Sequence, residues 1–452
     1  MAFSKIPKPA AIKSANVQHL KTIKKIGLIG PFGGGNLGDA AIQKSMIDNI
    51  RQFHPHADIY GFSLQPQDTE ARHGIPTYPI GKEANFADYC WWRGATENSL
   101  SSQLTNFLVR WRQQQTSNSM LRKLGSRFIF GALESLAWSR AYQNFQYLEI
   151  DLLIVSGGGQ LDDYWGGAWR HPFTLLRWCL FAKMNGTKFL IVSTGAGPIN
   201  SFLGKLFTRM TLSLADYRSY RDADSQQYVE EIVGFKSDDP VYADLAFSLP
   251  IDSYQPSDRN SRYLAVVGIS PMSYCHPEIW PEKNRSAYSQ YLNKLALFIV
   301  WLTQQQYAVA LFPGQTSHDR LAIDDLQELL IAKQVPAQQI IQQPILTVDE
   351  LMNQLADLDL VIASRFHSVL LSLLMNKPTL ALSYHRKINA LMADTGQTDY
   401  CLSIDDFEVE TMKNKFIKIK TDYQQIEQQL AIATQEYQSS LAKQYEYIFK
   451  NF

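Results

Sequence analysis

The sequence predicts an α/β protein built from two domains that face each other across a central cleft. Three observations carry this. The chain has 452 residues, too many for one hydrophobic core. In both halves short apolar runs alternate with helical stretches, which is the signature of βαβ units and a parallel sheet. The alternation pauses at SLPIDSYQPSDRNSR, from Ser248, a polar stretch with two prolines that reads as an interdomain linker.

The elements follow in order. Residues 1–24 form an N-terminal extension with no apolar core segment, so a secretory signal is not expected. The first domain covers 25–250. It opens with a strand, Ile26 to Gly30, then a helix, Gly38 to Ile50, and a strand, Asp58 to Phe62. Leu152 to Ser156 is a strand backed by glycines, Phe173 to Lys183 a helix, and Lys188 to Ser193 a strand. The second domain covers 257–452. Leu264 to Ile269 is a strand, Tyr291 to Leu302 a helix, Ala308 to Phe312 a strand and Arg320 to Ala332 a helix. Ile340, Val361 and Leu380 mark three further strands. Ligands in such folds sit beyond the carboxyl ends of the strands.

Two segments break the rhythm. Residues from about 96 to 146 carry no strand pattern and read as inserted helices. Arg110, Arg112, Arg122, Lys123 and Arg127 mix there with Trp111, Phe128, Phe130 and Trp138. A lid packed on the core is one reading; peripheral contact with an anionic membrane surface is the other. At the C-terminus Tyr423, Ile426, Leu430, Ala433, Tyr437, Leu441 and Tyr445 recur at spacings of three and four, one amphipathic helix over about 421–449.

Composition narrows the function. Lys plus Arg and Asp plus Glu are both 43, so no general pull toward nucleic acid exists and any anion must be caught locally. The four cysteines, Cys90, Cys179, Cys275 and Cys401, are scattered and form no CxxC pattern. No apolar run of about 18 residues occurs. A cytoplasmic protein is expected.

Four turns could hold an anion. In GPFGGGNLGDAAI, Gly33, Gly34, Gly35 and Gly38 lie between strand and helix with Asn36 and Asp39 at the helix start. Glycines let backbone approach a ligand, and a helix N-terminus offers free N–H groups. Asp39 is either a cap or a base facing the cleft. The second turn carries Gly157, Gly158, Gly159, Gln160, Asp162 and Asp163; the third carries Gly195, Gly197 and Pro198. In the fourth, Arg221 precedes Asp222-Ala223-Asp224, a DxD that could bind metal but is better explained by acidic residues favoured in a helix's first turn. No metal is expected. The stretch ASRFHSVLLSLLMNKPTLALSYHRK, from Ala363, adds Arg365 and His367 at the mouth of a buried strand-turn-helix unit, and Lys387 at the mouth of the next. Arg365 presents a planar fork suited to carboxylate or phosphate, and an imidazole can change protonation near neutral pH.

With these residues in view the chain resembles the polysaccharide pyruvyl transferase family. The matching stretches are GNLGD (35–39), DLLIVSGGGQL (151–161), STGAGPI (193–199), SYRDADS (219–225), YADLAFSL (242–249) and SRFHSVLLSLLMNKPTLALSYHRK (364–387). Arg386 stands where the family often has proline. The resemblance implies a GT-B-like fold of two Rossmann-like domains, with the donor on the C-terminal side and the acceptor on the N-terminal side. It implies transfer of pyruvate from phosphoenolpyruvate onto two hydroxyls of a saccharide, as a cyclic ketal, in cell-surface polysaccharide biosynthesis. Arg221, Arg365 and His367 then carry the donor. Chemistry adds roles: His367 as acid, Asp39 as base and Lys387 at the leaving phosphate. Gly35, Asn36, Gly38, Gly158, Gly159, Gln160, Gly195 and Gly197 line the acceptor side. No cofactor is expected beyond the donor substrate. The saccharide acceptor is expected to be lipid-linked or nucleotide-linked, placing the enzyme in the cytoplasm or at the membrane's inner face. Two other readings stand beside this one: a nucleotide-sugar glycosyltransferase on the same fold, and a non-catalytic saccharide-binding scaffold.

Overall fold

In the computed structural model, residues 23–81, 138–139, 141–164, 166–257, 264–280 and 282–452 are described. The N-terminal extension up to residue 22 and residues 82–137, which hold most of the basic and aromatic insertion, lie outside the described residues.

The first domain holds β1 (Lys25–Ile29), β2 (Asp58–Ser63), β3 (Thr77–Pro79), β4 (Leu152–Ser156), β5 (Lys188–Thr194) and β6 (Tyr217–Tyr220). They pair in parallel in the order β3-β2-β1-β4-β5-β6. The second holds β7 (Val266–Ser270), β8 (Ala308–Leu311), β9 (Ile340–Gln342), β10 (Leu360–Ala363), β11 (Thr379–Ser383) and β12 (Cys401–Ser403). Their order is β12-β11-β10-β7-β8-β9, again parallel. Each sheet winds outward from its first strand and then reverses. The reversals fall between β1 and β4 and between β7 and β10, and these switch points open crevices at the strands' carboxyl ends.

Central strands are apolar throughout, because helices cover both faces of a parallel sheet. All five residues of β4, LLIVS, are buried. One core cluster packs the outer face of the first sheet, with Phe62, Val155, Trp178 and Phe189. The other is continuous between the domains: it runs from Ile26 and Leu28 through Ile42 and Leu245 to Val369 and Leu430.

The C-terminal helix expected over about 421–449 is the helix Tyr423–Asn451, and a further helix, Val409–Thr421, precedes it. The helix Tyr423–Asn451 starts on one domain and ends on the other. Thr434 Oγ1 donates to Asn376 Oδ1 (3.3 Å) in the second domain. Nearly three turns further on, Gln444 is fully buried in the first: its amide donates to Ser219 Oγ (2.6 Å) and accepts from Ser193 Oγ (3.0 Å). Phe449 stacks near Phe53 at 5.3 Å between centroids. Among the described residues no helix is long and apolar enough to cross a membrane.

Candidate active site

The glycine turn after β1 clasps the opposite domain. Gly33, Gly34 and Gly35 have φ of 106°, 70° and 76°, the left-handed region that favours glycine. Asn36 caps the helix Leu37–Phe53: Gly38 N and Asp39 N donate to its Oδ1 (3.0 and 3.3 Å), and its Nδ2 donates to Asp39 Oδ2 (2.8 Å). Leu37 N donates across the interface to Gly314 O (3.1 Å), and Thr316 N donates to Gly35 O (2.8 Å). The first donors of this helix are therefore taken by its own cap and by the other lobe. The same approach explains two glycines. A Cβ at Gly35 would fall 2.1 Å from Thr316 Oγ1, and one at Gly38 would fall 2.1 Å from Nδ1 of His367.

The turns after β4 and β5 are zipped together. Gly195 N donates to Gly158 O (2.7 Å), Leu161 N to Gly195 O (3.2 Å) and Gly197 N to Leu161 O (2.9 Å). Gln160 is buried and folds back, its amide donating to Gly157 O (2.7 Å) and Ser156 O (3.2 Å). Gly159 and Gly197 line the cleft. Gly195 leaves room for Arg221, whose Nη2 would lie 2.5 Å from a Cβ there.

Between the sheets lies a cleft of about 2970 Å³, lined by Arg221, Asp222, Asp244, Arg365, Phe366 and Lys387 among others. Arg221 comes from the end of β6, Arg365 from just beyond β10 and Lys387 from just beyond β11. Phe366 organises two of these cations. Arg221 Cζ stands 5.0 Å and Lys387 Nζ 5.4 Å from its ring centroid, one cation from each domain.

Two carboxylates hold the cluster, and sequence reasoning assigned a role to neither. Asp319 is fully buried beneath Arg365: Nε and Nη2 both donate to it at 2.6 Å, the paired geometry a guanidinium favours. Gly314 N (3.1 Å) and Gln315 N (2.8 Å) donate to the same carboxylate. Asp319 thus locks Arg365 to the loop that clasps the first domain. Burial acts to lower the Arg365 pKa, but Asp319 outweighs it and holds the guanidinium above its ordinary value.

Asp244, 3% exposed, lies 3.5 Å from Arg221 Nη1 and 3.6 Å from His367 Nε2 through a single oxygen, Oδ2. Burial would raise its pKa; His367 and Arg221 bring it down to about 2. Asp244 is therefore an anion at any working pH. His367 Nε2 is buried, and its contact with Asp244 is longer than an ordinary hydrogen bond. Asp39 moves the opposite way: burial pushes its carboxyl above the ordinary range, and the nearby His367, Lys387 and Arg221 pull back only in part. Burial, with Arg221 next, lowers Lys387 to about 8.

The five charged residues singled out from sequence, Asp39, Arg221, Arg365, His367 and Lys387, thus share one neighbourhood. The DxD does not form a metal cluster. Asp222 caps the helix Ala223–Tyr228, accepting from Ser225 N at 2.7 Å, and also accepts from Arg221 Nε at 3.2 Å. Among the described residues no three His, Cys, Asp or Glu side chains are placed to hold a metal ion.

Comparison with known proteins adds an independent line. The family described as Polysaccharide pyruvyl transferase matches residues 36–386. No curated protein matches the sequence. Among solved structures the chain is similar to HepE of Anabaena in complex with UDP-glucose, at 13% identity and a TM-score of 0.52, covering 95% of this chain and 100% of that one. It is also similar to a UDP-N-acetylglucosamine 2-epimerase from Listeria monocytogenes (11%, TM-score 0.55, covering 94% and 97%). The Neisseria meningitidis epimerase bound to UDP-GlcNAc gives 11% and 0.52, covering 93% and 100%. At these identities the likeness concerns the fold, which is GT-B-like.

Proposed function

The chain belongs to the polysaccharide pyruvyl transferase family, and from that premise we propose that it moves pyruvate from phosphoenolpyruvate onto two hydroxyls of one saccharide. The product is a cyclic ketal, and phosphate leaves. The observation that carries this reading is the gathering of cationic and imidazole groups at the seam of the two domains: Arg221 and Lys387 flank the Phe366 ring, and His367 faces Asp244 beside them. A donor with a carboxylate and a phosphate matches the surrounding positive charge.

In this scheme Arg221 and Lys387 grip the two anionic ends of the donor. Arg365 has Nε and Nη2 committed to Asp319 and offers its remaining edge. His367 protonates the methylene carbon, and C2 becomes electrophilic as that bond forms. The first saccharide hydroxyl adds to C2 and gives its proton to Asp39, whose raised pKa makes it a stronger base. The C2–O bond to phosphate then breaks, and the second hydroxyl closes the ketal. Asp39 releases its proton to the departing phosphate, and the proton of the second hydroxyl replaces that lost from His367. No cofactor enters the scheme. The acceptor is a saccharide carried on a lipid or a nucleotide, for a cell-surface polysaccharide.

Incubating the protein with labelled phosphoenolpyruvate and a panel of saccharides should yield free phosphate and an acid-labile labelled product. Absence of both turnover and donor binding would overturn the reading. Neighbours in complex with UDP-glucose and UDP-GlcNAc favour a second one, a nucleotide-sugar glycosyltransferase. Thermal shift separates the two: phosphoenolpyruvate stabilises a pyruvyl transferase in proportion to saturation, and UDP-sugars do so for the alternative.

A further inference from the structure

We infer that the helix Phe202–Leu214 is a docking face for an anionic lipid bilayer. Its sequence, FLGKLFTRMTLSL, contains no acidic residue. Phe202, Leu206, Met210 and Leu214 succeed one another at intervals of four, and all are exposed, Phe202 to 79%. At 100° per residue they cover a third of the helix circumference. Lys205 and Arg209 flank them on one edge. The opposite arc, with Phe207, Thr208, Thr211 and Leu212, is the buried one.

A helix in a soluble core buries its apolar stripe. Here a second apolar stripe faces outward, and four large exposed side chains in one row mark an interaction face. A further exposed aromatic packs on the buried arc of the same helix. Trp169 is 57% exposed and lies edge-on to Phe207 (5.3 Å between centroids) and Phe173 (4.9 Å). An exposed apolar row with a basic border is the composition of interfacial helices, whose cations meet lipid phosphates while the apolar arc enters the acyl boundary. Charge complementarity with anionic headgroups selects this occupant over a neutral protein face.

The position adds a function. Gly197 and Pro198, which line the cleft, lie only a few residues before Phe202, and Asp163 joins the cleft-side turn to the helix start by accepting from Ser201 N and Oγ. A bilayer against this face therefore lies near the mouth of the cleft, where the carrier of a lipid-linked saccharide would emerge. That last point rests on the function proposed above; the docking itself does not.

Flotation of the full chain with vesicles tests it without donor or acceptor. Vesicles of phosphatidylcholine and phosphatidylglycerol should carry the protein upward, and phosphatidylcholine alone should carry much less. Replacing Phe202, Leu206 and Met210 together by serine should cut binding roughly tenfold or more. Lys205→Ser and Arg209→Ser should each cut it roughly fivefold. Thermal melts of these exposed-site variants should match the parent. Failure of the parent chain to float, or equal flotation of the triple variant, overturns the inference. So does a concentration-dependent dimer that the triple variant abolishes while the parent ignores vesicles. Turnover of a water-soluble acceptor should be the same in parent and variant, so failure of the docking is distinguishable from failure of the chemistry.

Discussion

Asp319→Asn should unlatch Arg365 and weaken the clasp between domains. Asp319 is fully buried and accepts four hydrogen bonds: two from Arg365 at 2.6 Å, one from Gly314 N and one from Gln315 N. Asparagine fits the space but removes the charge and turns an amide N–H toward a donor. Removing one partner of a buried pair costs about 3–5 kcal/mol, chiefly because the other charge is left uncompensated. For a domain of this size that lowers Tm on the order of 10 °C. A second effect follows at the site. With its fork released, Arg365 no longer keeps its remaining edge toward the cleft, and KM for phosphoenolpyruvate should rise roughly tenfold, about 1.4 kcal/mol. Differential scanning fluorimetry with and without donor, beside steady-state phosphate release, reads both. The pair Asp319→Leu with Arg365→Met separates them, since an apolar pair of similar volume restores much of the stability while donor affinity stays low. If Asp319→Asn melts with the parent and keeps its KM, the buried pair is not what positions Arg365.

Three further outcomes follow. Gly38→Ala drives a methyl into the imidazole of His367 and displaces it on the order of 1 Å; kcat should fall roughly a hundredfold, while circular dichroism shows the fold intact. Lys387 sits at about 8, so it is largely protonated at neutral pH and loses its charge as pH rises through that value. Affinity for phosphoenolpyruvate, measured by titration calorimetry, should therefore weaken above about pH 8, and Lys387→Met should flatten that limb. Asp244 has its pKa depressed from 3.8 to about 2, so it contributes stability above the unfolded value that is lost as pH falls from about 4 to about 2. Its share is roughly 2 kcal/mol, and acid denaturation of Asp244→Asn should lack that component.

Much of the fold was legible because a parallel sheet covered on both faces writes itself as apolar runs. The strand Leu152–Ser156 matches the prediction residue for residue, and both sheets are parallel as expected. What escaped were short or polar elements, such as β3, β12 and the helix Pro66–His73, whose sequence PQDTEARH has little periodicity. Apolar period shows which face of a helix is buried and not against what. Tyr437, Leu441 and Tyr445 marked the stripe of the last helix, yet only the fold reveals that Gln444 in its midst bonds the first domain. The site divides the same way. Its cations stood out because basic residues at strand mouths are conspicuous. Asp319 did not, since an acidic residue in a helix's first turn has a local explanation. Asp244 lay inside YADLAFSL, a stretch already singled out, and its partners are brought in only by tertiary structure. Gln160 shows the reverse: a polar residue at a turn tip that serves the turn itself.

The polypeptide passes between the two lobes once near residue 250 and again within Tyr423–Asn451. Two such crossings act as the two pins of a door. Together with the apolar core shared by the two lobes, they resist sliding or twisting of one lobe on the other. Opening to admit substrate then means parting Gly35 and Leu37 from Thr316 and Gly314, and every closure returns His367 to the same seat on Gly38.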